Sequence, residues 1–281
     1  MVALFILICV IGYFLWRFEQ KKIRAREITV LATMTAICVA SNEICAHTIP
    51  LHAGTAVVVI TGIALGPQAG FFVGATARFI CNLFSGQGAW TPWQMIAWGL
   101  IGALAGIAFN QVKLRKKYRK ELTLAQRLSL EKSRSFEMLM VPVVSIMIAW
   151  IIAYLSYLLF GDQTESFWGW RLYLFGAAGL LIGSILQRHK LAVDDITITV
   201  FTFVVVFIIY GGVMNAAAMF LTSSIDPTAG ISLQTLKALY ITGVPYDIAH
   251  AATAALCVFF AGDGILQKLQ RIQVKFGIRI S

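Results

Sequence analysis

The chain has 281 residues, of which 59% are hydrophobic and only 13% charged, with a mean hydropathy of +0.79. That composition excludes a soluble globular domain and points to an integral membrane protein. The net charge of +10 would suggest nucleic acid in a soluble protein, but the placement of the basic residues supplies a different reason for it.

Apolar runs separated by polar breaks predict nine membrane segments in one all-α domain, residues 1–281. The first, 2–16, reads as an uncleaved anchor, because it lacks a basic lead and a small-residue cleavage site and runs directly into Arg17. The second, 28–46, carries Ala32, Ala36 and Ala40 at intervals of four, on one face. Small residues at that spacing let helices approach backbone to backbone, either within the protein or against a partner. Asn42, Glu43 and His47 follow at its far end.

Segments 53–66 and 69–84 fall short of the ~20 residues that cross a bilayer, so the pair reads either as two short spans or as one helix broken at Gly66–Pro67. Gly66, Gly70 and Gly74 form a second small-residue row. Arg78 continues it by one turn, with Asn82 one turn further. A charge at that depth is costly and needs something to bind or pair with. The loop 85–93, SGQGAWTPW, presents Gln87, Trp90 and Trp93, and Gln94 opens the segment 92–110.

Residues 111–136 are the one long polar stretch. Leu122, Leu124, Leu128 and Leu130 allow an amphipathic surface helix there, and a solvated linker fits equally. Segments 138–160 and 170–187 come next, then 196–221 with Asn215, and last 237–262 with Tyr246, Asp247 and His250. A basic tail, 263–281, closes the chain.

Alternating the segments tests the count. With the N-terminus outside and the C-terminus inside, twenty of the 23 Lys and Arg residues fall in inner loops or the inner tail. The basic excess is therefore membrane topology. The five cysteines are scattered through apolar segments without CxxC spacing and read as small helix residues. Topology also gathers Asn42, Glu43, His47, Arg78, Asn82, Trp90, Trp93, Gln94, Asn215, Tyr246, Asp247 and His250 toward the outer half. Each has a plain explanation alone, the tryptophans as interfacial anchors and Arg78 as the ion-pair partner of Glu43 or Asp247. One polar cavity open to the outside would hide all of them from lipid together.

At these residues the chain resembles the S components of energy-coupling factor (ECF) vitamin transporters. The resemblance rests on RAREITVLATMTAICVA, GTAVVVITGIALGPQAGFFVGATARF, WTPWQMIAWGLIGALAG, YGGVMNAAAMF and KALYITGVPYDIAHAATAALCVFFAGDGILQKLQR. It implies a six-helix core made of 28–110 and 196–262, to which this chain adds the N-terminal helix and an inserted hairpin, 138–187. It also implies a multi-pass protein of a prokaryotic plasma membrane that binds a micronutrient from outside, with no permanent cofactor. The partners implied are a transmembrane T-subunit, meeting Ala32, Ala36 and Ala40, and two ATPase subunits that use the ATP. The polar cluster would hold the vitamin. Large size and outer aromatics favour cobalamin, while riboflavin, a thiamine precursor, queuosine-type bases and pantothenate stay open.

Two other readings compete. An ion-coupled carrier would use Glu43, Arg78 and Asp247 as a relay, and a cobalt or nickel subunit would use His47, His52 and His250. Catalysis finds no HExxH or GxSxG motif, and no Walker A sequence is present, so any ATP is hydrolysed on another chain.

Overall fold

The computed structural model describes residues 25–48, 51–109, 124–161, 167–187, 193–225 and 231–276, with the isolated positions 5, 8, 9, 12, 13, 16 and 191; the side chains of 124–137 and 274 are not included. The described residues are helical apart from turns and one isolated bridge between Phe109 and Leu191. In chain order the helices are α1 (Ala25–Thr48), α2 (Ala53–Leu65), α3 (Pro67–Ser85), α4 (Thr91–Ala108), α5 (Leu124–Phe160), α6 (Trp170–Leu186) and α7 (Asp195–Val205). A π-helical turn, Val206–Tyr210, leads into α8 (Gly211–Ile225), and α9 (Leu233–Phe276) ends the fold.

This is an all-α membrane architecture. Residues 25–48, 138–160, 195–223 and 233–273 are long and apolar enough to cross a bilayer, with shorter apolar helices at Ala53–Leu65 and Trp170–Leu186. The exposed surface says the same. Ile148, Ile151, Ile152, Leu155, Leu159 and Phe160 of α5 all face outward, a surface that water would penalise and lipid would not. Of the predicted anchor 2–16, positions 5, 8, 9, 12, 13 and 16 are helical and exposed, and the others lie outside the described residues.

Two boundaries differ from those the sequence predicts. Helix α5 begins at Leu124 rather than 138, and α9 runs to Phe276 rather than 262. The added turns are rich in Leu, Gln, Lys and Arg, which are good helix formers, so the helix continues after the apolar span ends. Hydropathy marks the membrane, not the end of the helix. The apolar faces proposed for Leu122, Leu124, Leu128 and Leu130 lie outside the described side chains.

Helix α2 sits at the centre. Its 13 residues span only about 20 Å at 1.5 Å per residue, short of the ~30 Å hydrocarbon core. Every residue from Gly54 to Leu65 is buried, as expected for a helix that is apolar all round. Helices α1, α3, α4 and α9 pack around it.

The region forms two separate helices that fold back on each other at Gly66–Pro67. Gly66 takes φ 98°, a conformation that disfavours side chains, and Pro67 starts α3 at once. The turn is sharp enough that a Cβ at Gly70 would lie 2.8 Å from the Cα of Gly62. The carbonyl of Gly102 on α4 occupies the same space, and a Cβ at Gly106 would meet Pro67. The glycine row therefore brings three backbones together, as its spacing predicts.

The hairpin α5–α6 packs chiefly on itself, yet α6 also touches the π turn, α8 and α9, so it is joined to the core. A direct test of the glycine junction compares two substitutions. Gly102→Val would drive a branched side chain into the backbone of Gly70, and overpacking of this kind costs at least about 1–3 kcal/mol. The expected result is a thermal midpoint in detergent lower by roughly 5–10 °C, or loss of monodisperse protein. Gly264→Val, where nothing lies within 4 Å of the added carbon, leaves the midpoint unchanged.

Candidate functional site

A cleft of about 340 Å³ opens between α4, the π turn, α8 and α9. Helix α9 supplies Leu239, Thr242, Gly243, Tyr246 and Asp247, whose spacing places them on one helical face. Tyr210, Met214 and Asn215 come from the π turn and α8, and Gln94 from α4. Both long helices lining the cleft are irregular at this level. The π turn shifts the register that delivers Tyr210, and Pro245 inside α9 removes a backbone donor one turn from Ile241.

Asp247 is the organising group. Its side chain is 4% exposed, and Oδ2 accepts hydrogen bonds from Tyr173 Oη and from Asn215 Nδ2, the latter at 2.7 Å. That leaves Oδ1 as an open acceptor on the cleft wall. Glycines make the arrangement fit. A Cβ at Gly211 would lie 2.7 Å from the Asp247 carboxyl carbon, and one at Gly243 would collide with the Asn215 amide oxygen. Each of the two helices thus yields a backbone position to the polar side chain of the other.

Below this knot two histidines stack. The rings of His52 and His250 lie 3.9 Å apart, and Tyr210 meets His250 edge-on at 4.4 Å. His52 Nδ1 is 2.9 Å from the hydroxyl of Thr253, which itself donates to the Ala249 carbonyl, so His52 is the donor in that bond. His250 Nε2 is 3.0 Å from the Thr55 hydroxyl, while its Nδ1 is buried without a partner. In the turn before α2, burial and then the Arg78 charge hold His52 below the usual imidazole range, which keeps the ring neutral.

Arg78 lies on the other side of Gln94. Its Nε donates to Gln94 Oε1 at 2.9 Å, and its guanidinium sits 5.3 Å from the Trp98 ring centroid. Asn82 Nδ2 donates to the same Gln94 oxygen at 2.8 Å and to Thr91 Oγ1 at 3.1 Å. Thr91 passes its own proton to Gln87 Oε1 at 2.8 Å. Among the described residues Arg78 pairs with neither Glu43 nor Asp247, so the structural ion pair open to it from sequence is not made.

A family model, "ECF-type riboflavin transporter, S component", matches residues 22–158. Across that stretch the chain is similar to ECF S components. No solved structure matches it. The match runs through α5 and so includes the first helix of the hairpin that the sequence reading places outside the six-helix core. It ends before the π turn, α8 and α9, which supply most of the cleft.

Of the residues the sequence nominates, Gln94, Asn215, Tyr246 and Asp247 line the cleft together. His250 is buried one turn below Tyr246, and Arg78 and Asn82 reach the cleft through Gln94. Asn42 donates to Glu43 Oε1 at 3.2 Å, and neither residue lines the cleft. Trp93 stacks on Phe220 at 5.7 Å, bracing α4 against α8. His47 is exposed and bonds its own helix at the Glu43 carbonyl, and Trp90 is 41% exposed; neither lines the cleft. Ala32, Ala36 and Ala40 are all exposed, so no part of the described chain covers that row.

The sequence reading misses Tyr173, Tyr210 and Thr55. Tyr173 sits in the hairpin taken as an addition, and its one signal is a hydroxyl in an apolar helix that needs a buried partner. Asn215→Leu and Tyr173→Phe each take one donor from a buried carboxylate, at a cost of about 1.5–3 kcal/mol. Because both donors serve one oxygen, the double variant should depart from additivity in a thermal double-mutant cycle. Losses that simply add would show the two contacts to be independent.

Proposed function

We propose that this chain is an ECF S component that captures a flat vitamin of flavin size from the outer face and docks on a T-subunit driven by two ATPases. The observation that carries the substrate class is the cleft. At about 340 Å³ it lies at the small end of ligand pockets, enough for a fused-ring heterocycle and far too little for a corrinoid, so cobalamin, the expectation from size and aromatics, is the less fitting cargo. Tyr210 and Tyr246 offer ring faces, while Gln94, Asn215 and Asp247 Oδ1 offer hydrogen-bonding groups, as a polar heteroaromatic ring requires. The riboflavin transporter model that matches the front of the chain points to the same size class.

The competing readings gain less. A charge relay through Glu43, Arg78 and Asp247 is interrupted by Gln94 and Trp98, which are the groups Arg78 touches. Among the described residues no three His, Cys, Asp or Glu side chains gather as a metal site. The uncovered row Ala32, Ala36 and Ala40 is the proposed T-subunit face, since small exposed residues on a membrane helix allow a second helix to pack closely. The basic inner loops orient the cleft outward in a prokaryotic plasma membrane.

Calorimetry on the purified full chain tests this reading. Riboflavin should bind with a submicromolar Kd and cobalamin should not bind. Tyr246→Ala and Asp247→Asn should each weaken riboflavin at least tenfold, which is about 1.4 kcal/mol. Binding of cobalamin without riboflavin would reverse the assignment. Co-purification with a T-subunit should be reduced by Ala36→Leu.

A further inference from the structure

Hairpin α5–α6 gives the cleft no lining residue, yet it holds the group that organises it. Tyr173 sits in the first turn of α6, is 3% exposed, and donates its hydroxyl to Asp247 Oδ2. It lies outside the matched stretch, 22–158.

The Tyr173 ring touches both walls of the cleft. It stacks on Phe207 of the π turn, with centroids 5.1 Å apart, and packs against Tyr240 of α9 at 4.8 Å. Tyr240 in turn donates to the Gly212 carbonyl of α8 at 2.8 Å, tying the two walls together. A Cβ at Gly211 would lie 2.8 Å from Tyr173 Cε1 as well as 2.7 Å from the Asp247 carboxyl carbon, so phenol, carboxyl and α8 backbone meet at one point. The hairpin is itself held. Trp150 Nε1 on α5 donates at 3.0 Å to the carbonyl of Leu172, the residue before Tyr173. One turn on, a Cβ at Gly176 would lie 3.1 Å from Ile208 Cδ1, so α6 rests directly on the π turn. At the other end of the helix, a Cβ at Gly169 would lie 2.8 Å from Ile241 Cγ1 of α9.

The torsion that turns a carboxyl is soft, with broad and roughly two-fold preferences. What fixes the Asp247 carboxyl is therefore its donors, and each donor locks it only as firmly as its own side chain is packed. Asn215 lines the cleft, whereas Tyr173 stands behind the lining, with its ring held by aromatic neighbours. We propose that Tyr173 is a positioning residue for ligand capture, holding Asp247 by Oδ2 so that Oδ1 faces the cargo. The hairpin then belongs to the binding machinery. This rests on the flavin-sized reading above, in which Asp247 meets the ligand.

Tyr173→Phe removes the hydroxyl and keeps the ring. Riboflavin titrated into the purified full chain in nanodiscs should bind this variant about fivefold more weakly than wild type, the scale of one hydrogen bond. Infrared difference spectra read the mechanism. The Asp247 carboxyl band, identified by its loss in Asp247→Asn, should shift when riboflavin saturates the wild type, and saturated Tyr173→Phe should lack that shift. Should Tyr173→Phe lose its fold in a thermal scan, Trp150→Phe, which frees the Leu172 carbonyl, takes its place, with a loss of about twofold or more and an altered band shift expected. Unchanged riboflavin affinity would overturn the proposal. So would a weaker affinity with the wild-type band shift intact, the mark of a packing role alone. If the wild type binds no riboflavin, the flavin-sized reading falls, and the positioning role falls with it.

Discussion

The structure depends on a helix that cannot span the membrane. Helix α2 is buried from Gly54 to Leu65, and its carbonyls and side chains are satisfied from within the protein, as where Gln273 donates to the Ala64 carbonyl at 2.7 Å. Lipid offers no hydrogen bonds, so such a helix persists only while other helices enclose it. The enclosure comes from glycine. With no Cβ at Gly62, Gly70 and Gly102, the three backbones of α2, α3 and α4 close to contact, and van der Waals packing takes the place that hydrophobic exclusion holds in water.

That enclosure also sets the height of the polar groups. Thr55, one turn into α2, meets His250, and His250 stacks on His52 in the turn before α2. The start of the buried helix therefore registers α9 against the bundle, and the next turn of α9 places Asp247 against Tyr173 and Asn215. A carboxylate at this depth would be costly if left bare. Two donors on Oδ2 and a glycine seat at Gly211 offset that cost while Oδ1 stays available.

The sequence made the scaffold legible because glycine spacing and apolar runs act locally. The rows Gly66–Gly70–Gly74 and Ala32–Ala36–Ala40 mark in advance two faces fit for close packing, and the structure packs the first within the protein and leaves the second exposed. The polar residues were legible as a group, since a membrane restricts where Asn215, Asp247 and His250 can sit. Their partners were not. Which donor meets Asp247 depends on how α6 crosses α9, a tertiary relation that leaves no spacing in the chain, and so Tyr173 went unread. A helix within 111–136 was one of the two readings its leucines allowed, whereas the extension of α9 to Phe276 was missed because polar turns carry helix propensity without any apolar signal.

The division between scaffold and cleft bears on what the chain carries. The matched stretch, 22–158, contributes the buried helix, the glycine junction and the bare alanine row, but among the residues lining the cleft it supplies only Gln94. The remaining eight lie between Tyr210 and Asp247. A fold arranged this way can hold the alanine row proposed for docking fixed while the cleft changes, since Met214, Leu239 and Thr242 lie outside α1 to α4. Gln94 is then the point where the two halves must agree. Its amide oxygen holds the arginine of the matched half while the residue lines the cleft formed largely by the other, so a change at Gln94 alters both.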